Sequence, residues 1–237
     1  MMKKIVLNMV IIMTEDKRLK KIFDSACNLF INKGYAETKM KDIAKKASIS
    51  VGSMYDLFKN KEALLNFVFI ATLDNDTLFQ DHNFPIENDN QSSIQRKIET
   101  TYQRETSVIN HNLLEMSSEY SLSSLVNDLF KIFNHYGQYF LILEKNPSLN
   151  PILIESYKSY RSELYTNIAV FLKNSIVNKK LRDLDNPEYV AMMIVDLIFW
   201  WSTHKKYDSF ENGKNDYSVT KMQSSITDLL VKSYSKS

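Results

Sequence analysis

Glycine and proline are scarce in this chain, with four of each in 237 residues. A many-stranded sheet needs more turn punctuation than that, and no segment sustains the two-residue alternation of a half-buried strand. The glycine shortage also leaves little from which to build a phosphate-cradling loop. Neither Gly-x-Ser-x-Gly, nor His-Glu-x-x-His, nor a dinucleotide-binding glycine fingerprint occurs. The single cysteine, Cys27, cannot form an internal disulfide and sits on an apolar stripe, as a small buried hydrophobe does. His111, His135 and His204 are scattered, and no His/Cys/carboxylate spacing suggests a metal site. Long apolar runs are missing too. Tyr189 to Trp201 is interrupted by Asp196 and falls short of the roughly 20 residues that span a bilayer. The expectation is an all-α, cytoplasmic protein without catalytic residues, cofactor or metal.

Two short helices joined by a tight turn stand out among what is present. Thr38 can cap a helix along which Met40, Ile43, Ala44 and Ala47 recur at i, i+3, i+4 and i+7. Ser48-Ile49-Ser50 breaks the pattern, and Ser50 can cap a second helix carrying Met54, Leu57 and Phe58 on one face. Before them, Leu19, Ile22, Phe23, Ala26, Leu29 and Phe30 form a stripe from about Glu15 to Lys33, which Gly34 ends. After them, an apolar helix is expected from Lys61 to about Phe79. The pair is a helix-turn-helix, whose second helix enters the major groove.

Charge agrees with this. Residues 14–65 hold eleven Lys/Arg against seven acids, and with Lys3 and Lys4 the first 65 residues carry +6 in a chain whose net charge is +2. A basic head on a mildly acidic body is the footprint of a DNA-binding module, although a lysine-rich solvated face gives the same sum.

The string Phe30-x3-Gly34-Tyr35-x2-Thr38-x-Met40-x2-Ile43-Ala44-x2-Ala47-x-Ile49-Ser50-x-Gly52-x2-Tyr55-x2-Phe58-x2-Lys61-x2-Leu64 resembles the N-terminal signature of TetR-family transcriptional regulators. The resemblance covers roughly the first quarter of the chain. It implies an N-terminal three-helix DNA-binding domain, a C-terminal helical ligand-binding and dimerisation domain, and a homodimer on a palindromic operator. Such a protein usually represses and lets go when a small effector binds. By match to the motif, Tyr55 and Lys61 would contact phosphates, and Thr38, Lys39 and Lys41 would approach the backbone. Ser50, Val51, Gly52 and Ser53 would begin the recognition helix. Three positions depart from the pattern: Ser48 replaces the usual turn glycine, Lys39 a usual hydroxyl residue, and Asp56 puts an acid on the recognition helix.

The expected domains are an N-terminal extension over 1–13, the DNA-binding domain over 14–62, and the body over 63–237. Residues 1–13 have the lysines and apolar run of a signal peptide, but Asn8 interrupts the run and no small-residue cleavage site follows. They are read as an upstream extension or flexible arm. Body helices are expected at about 92–118, 122–144, 150–178, 187–206 and 217–234, with Pro85, Pro147, Pro151 and Pro187 in the pauses.

The helix from Pro187 is apolar nearly all round, from Val190 through Trp201, so every side must be covered. The resemblance implies that the last two helices pair with those of a second copy, whereas a monomer core explains the same pattern. A charge at Ile198 should split a dimer, or unfold the domain if the position is core. Aromatic residues of the body are core or pocket walls. Tyr157, Trp200 and His204 are the candidate ligand contacts, for an apolar or amphipathic effector. An enzyme and an architectural DNA-binding protein are the rival classes. The missing catalytic motifs oppose the first, and the helical body of about 170 residues opposes the second.

Overall fold

The structure is a computed structural model that describes residues 2–114, 120–210 and 218–236. Among these, regular structure is helical apart from two single-residue bridges, Phe58 with Ile86 and Leu181 with Ser235. The chain divides into two compact units: Met1–Ile98 with Ile142–Leu149, and Glu99–Leu141 with Asn150–Ser237.

Four α-helices lie wholly within the described residues of unit 1, and the inner faces of α1, α2 and α3 are those the spacing predicts, except that Leu29 is half-buried. Helix α1 (Met2–Asn32) begins far earlier than the expected Glu15, so the backbone of residues 2–13 is helical and continuous with it. It packs on α2 (Met40–Ala47) and α4 (Lys61–Leu73), while α2 packs on α3 (Val51–Leu57). Ile22, Ala26 and Phe30 of α1, Ile43 of α2, Met54 of α3 and Leu64 of α4 are fully or almost fully buried. Each of these side chains larger than Ala26 stabilises by about 1.5–3 kcal/mol. Cys27 is buried among them, and burial pushes its thiol far above the usual range, which leaves it inert.

Two helix ends differ from expectation. Thr38 does not cap α2. The N-cap is Lys39, whose backbone N–H donates to Asp42 Oδ2 at 3.1 Å. Helix α4 stops at Leu73 instead of Phe79, because Asp74 Oδ1 accepts the Asp76 N–H at 3.1 Å and starts a 3-10 turn over Asn75–Leu78. Short polar side chains offering such local bonds compete with the helix ladder.

In unit 2, α5 (Gln91–Leu114) and α6 (Leu122–Lys145), each of which begins or ends in unit 1, are followed by α7 (Pro151–Val177) and α8 (Pro187–Phe199). These agree with the expected ranges to within a few residues; residues 115–118 and 217 lie outside the described residues. Asn150 caps α7, accepting from the Ile152 and Leu153 N–H groups. The helix expected over 187–206 is broken in register: α8 passes into a π turn at Trp200–His204 and then α9 (Lys205–Tyr207). There Thr203 Oγ1 donates to the Phe133 carbonyl at 3.1 Å, and a Cβ on Gly137 would lie only 2.9 Å from Thr203 Oγ1. The glycine lets α6 come this close. Helix α10 (Val219–Tyr234) ends the chain, with Ser218 as its N-cap and Ile226 and Leu230 facing inward.

Candidate nucleic-acid interface

The turn between α2 and α3 is built by backbone conformation and one hydroxyl. Ser48 adopts φ 58°, the left-handed position that glycine fills most cheaply. The Ile49 N–H closes back on the Ala44 carbonyl at 3.0 Å. Ser50 then caps α3, its Oγ accepting the Ser53 N–H at 3.0 Å and lying 2.9 Å from Ser53 Oγ. Met54 and Leu57 turn inward, which forces the opposite face of α3 outward. Val51 is 44% exposed and Tyr55 51%, both high for apolar or aromatic residues with no cover. Gly52 and Asp56 are exposed on the same short helix, as are Lys39 at the N-cap of α2 and Lys41 in its first turn.

Two motif residues are placed differently from the sequence expectation. Thr38 is 0% exposed, and its hydroxyl donates to the Gly34 carbonyl at 2.7 Å, so it has no surface for a phosphate. Lys61 is turned inward: Nζ donates to the Tyr35 and Thr38 carbonyls at 2.9 and 3.0 Å and lies 4.1 Å from the centre of the Tyr35 ring. Among the described contacts two of its three donors are taken, and burial moves its ammonium below the usual lysine range. A phosphate would meet at most the third donor.

Surface cations missed by the motif, Lys45, Lys46 and Lys59, are exposed beside these residues. Lys59 is tied to Glu87 at 3.0 Å, and its N–H donates to the Ile86 carbonyl while the Ile86 N–H donates to Leu57. The segment after α4 thus returns to the C-terminal end of α3. No spacing rule in the sequence signals that pairing.

The ligand candidates in unit 2 are not gathered into one site. Tyr157 lines a void with Phe133, Tyr160, Arg161 and Phe199, but its volume of about 10 Å³ holds one water at most. Trp200 is exposed and stacks on His204 at 4.7 Å. His204 does not line the void, and its ring makes an edge contact with Phe199, which does. Arg161, absent from the sequence-based candidates, joins Tyr165 at 2.5 Å and Asp196 at 2.6 Å. A roomier opening of about 570 Å³ lies between α6 and α10, lined by polar groups including Asn127, Gln223 and Thr227.

A helix-turn-helix whose second helix faces outward is the arrangement with which DNA-binding heads enter the major groove. Residues 22–68 match the model of the bacterial regulatory proteins of the tetR family. The chain therefore carries the helix-turn-helix DNA-binding head of TetR-family transcriptional regulators. Two uncharacterized HTH-type transcriptional regulators of Bacillus subtilis (strain 168) align with 46 residues each. YvkB is 44% identical over 19% of this chain and 24% of its own, and YuxN is 48% identical over 19% and 16%. The chain thus spans a quarter or less of the length of these relatives. The ketosteroid transcriptional regulator KstR2 of Mycobacterium tuberculosis shares the fold at TM-score 0.55 and 16% identity, covering 93% of this chain and 96% of that one. No helix among the described residues is long and apolar enough to cross a membrane.

Proposed function

We propose that the chain is a cytoplasmic transcriptional repressor that binds a palindromic operator as a homodimer and releases it when a small apolar or amphipathic effector binds. Residues 14–62 are the DNA-binding domain, 63–237 the ligand-binding and dimerisation domain, and 1–13 an N-terminal extension. The observation that carries the reading is α3 itself, pinned from behind by Met54 and Leu57 and presenting Val51 and Tyr55 uncovered.

In this reading Ser50, Val51, Gly52 and Ser53 meet the base edges, where an apolar side chain such as Val51 favours a thymine methyl. Tyr55, Lys39, Lys41 and the third donor of Lys61 meet phosphates, which set register without reading sequence. Thr38 acts behind the surface.

A helix-turn-helix reads only a half-site, so the reading needs two copies. It is supported by the outer face of α8, where Tyr189, Met192 and Met193 are exposed at helical spacing, by Trp200 at the start of the π turn, and by Leu229 on α10. Ile198, by contrast, is 0% exposed within one chain and belongs to the core. The effector would part α7 from α8 at the aromatic void by Tyr157. It releases DNA only if it prefers the DNA-incompetent state; a coupling of roughly 1–3 kcal/mol lowers operator affinity about 5- to 150-fold. The test is selection from a random duplex library with the full-length protein. Enrichment of an inverted repeat supports the reading, and enrichment of no sequence removes it.

A further inference from the structure

We propose that Asn146 is a positioning residue for DNA binding, its side-chain amide fixing the turn from which the helix-turn-helix starts. The proposal rests on the DNA-binding reading of the head.

Helix C-termini leave carbonyls without intrahelical partners. At the end of α1 the Leu29 carbonyl accepts from the Lys33 and Gly34 N–H groups at 2.8 and 3.1 Å. The next carbonyl, Phe30, is taken by Asn146 Nδ2 at 3.0 Å. The same nitrogen donates to the Ile142 carbonyl at 2.7 Å, at the end of α6. Asn146 Oδ1 accepts the Tyr35 N–H at 2.6 Å. One side chain therefore caps two helices and holds the first residue after Gly34. The pattern fixes the amide orientation, since only the nitrogen can donate to two carbonyls and only the oxygen can receive an N–H. Asn146 is 8% exposed and comes from more than a hundred residues away in the chain.

The turn it grips is held on its other sides too. Gly34 stands at φ +91°, the Thr38 hydroxyl closes on the Gly34 carbonyl, and Lys61 Nζ covers the Tyr35 and Thr38 carbonyls. Lys39 and Lys41 follow at once, and α2 carries α3. With Asn146 shortened, the buried Phe30 carbonyl and the part-buried Tyr35 N–H lose this partner, and the turn must relax to find water. The start of α2 shifts with it, and α3 is carried along. Asn146 is itself too buried to meet a phosphate. Its loss should therefore alter which DNA is preferred and not how many phosphates are neutralised.

The test uses full-length Asn146→Ala and Asn146→Ser. Each is titrated by fluorescence anisotropy, over a range of salt, with a duplex enriched by the wild type and with a scrambled duplex of equal length. Amide hydrogen exchange of Tyr35 is followed in the protein without DNA. The expected result is faster Tyr35 exchange and about fivefold or greater loss of affinity for the enriched duplex. Affinity for the scrambled duplex and the salt slope stay at the wild-type value. Faster exchange with an unchanged enriched-to-scrambled ratio overturns the proposal, because the turn is then freed without consequence for reading. Unchanged exchange overturns it as well. If the alanine variant does not fold, the serine variant gives both readouts. A wild type that enriches no duplex removes the DNA-binding reading and this proposal together, whereas the other failures leave that reading intact.

Discussion

The head and the body of this chain place their polar side chains to opposite ends. In the head they finish helices and turns: Ser50 and Asn60 cap α3 and α4, Thr38 and Lys61 cover carbonyls of one turn, and α3 keeps a clean outer face. In the body they sit among aromatic rings. Tyr102 donates to Tyr139 at 3.0 Å and stacks on Tyr160 at 5.0 Å, while Arg161 gathers Tyr165 and Asp196. Burial raises the hydroxyl pKa of Tyr102, Tyr139 and Tyr160 far above the usual range, so these groups act as neutral hydrogen-bonding parts of a core. A head built on local caps tolerates an exposed reading face. Among its interlocked rings the body leaves a void of about 10 Å³, which must open to admit anything larger than a water, whereas the polar opening between α6 and α10 is about 570 Å³.

The sharpest break in that comparison is inside α8. Ile198→Asp puts a carboxylate in the core and should cost several kcal/mol, enough to unfold the body in a thermal melt. Met193→Glu, on the exposed side of the same helix, should leave the chain folded, lower the melt only by the stability that association adds, and convert a dimer to monomer in sedimentation. A Met193→Glu protein that sediments as wild type removes α8 from the interface.

In the head, Lys61→Met should lower stability by about 1–3 kcal/mol, since two carbonyls lose a charged donor. It should also lower the salt slope of DNA binding by about 0.9 if the third donor meets a phosphate. Loss of stability with an unchanged slope would make Lys61 a clamp alone. Val51→Ala is expected to change stability by less than about 0.5 kcal/mol while altering preference among operator variants at one position. Uniform weakening over all variants would take Val51 away from the base edges.

These predictions also mark how much was legible in the sequence. The faces of α2 and α3, the Ser50 cap and the stop at Gly34 follow from spacings of three to seven residues, which the helix repeat imposes locally. The departure at Ser48 was visible for the same reason. Thr38 was not, because a hydroxyl one residue before a helix looks like a cap whether it faces the helix or the preceding turn. Lys61 and Asn146 act across 23 to 116 residues, and no periodicity encodes such pairings. In the body, uniform apolarity of α8 concealed which side is core, and Ile198 looked equivalent to Met193. The π turn at Trp200–His204 was equally hidden, since it depends on Thr203 reaching Phe133 beside Gly137.

The smallest expected effect tests the ion pair at the foot of α2. Lys33 Nζ at 2.6 Å, joined by the Lys39 N–H, holds the Asp42 carboxyl below its ordinary value of 3.8. A depressed folded-state pKa gives stability that is complete above the unfolded value and lost as pH falls through the folded one. Asp42→Asn should therefore differ slightly from wild type in melts at neutral pH and converge with it below the ordinary carboxylate range. A difference that persists in acid would assign the effect to something other than the charge.

The central claim, that two copies of this head read one DNA site through α3, is tested most directly by sedimentation of the full-length protein with an enriched duplex. The account predicts a complex of two chains per duplex that the Val51→Ala and Tyr55→Ala variants weaken without changing its stoichiometry. A complex of one chain per duplex, or equal binding by the wild type and both variants, would contradict it.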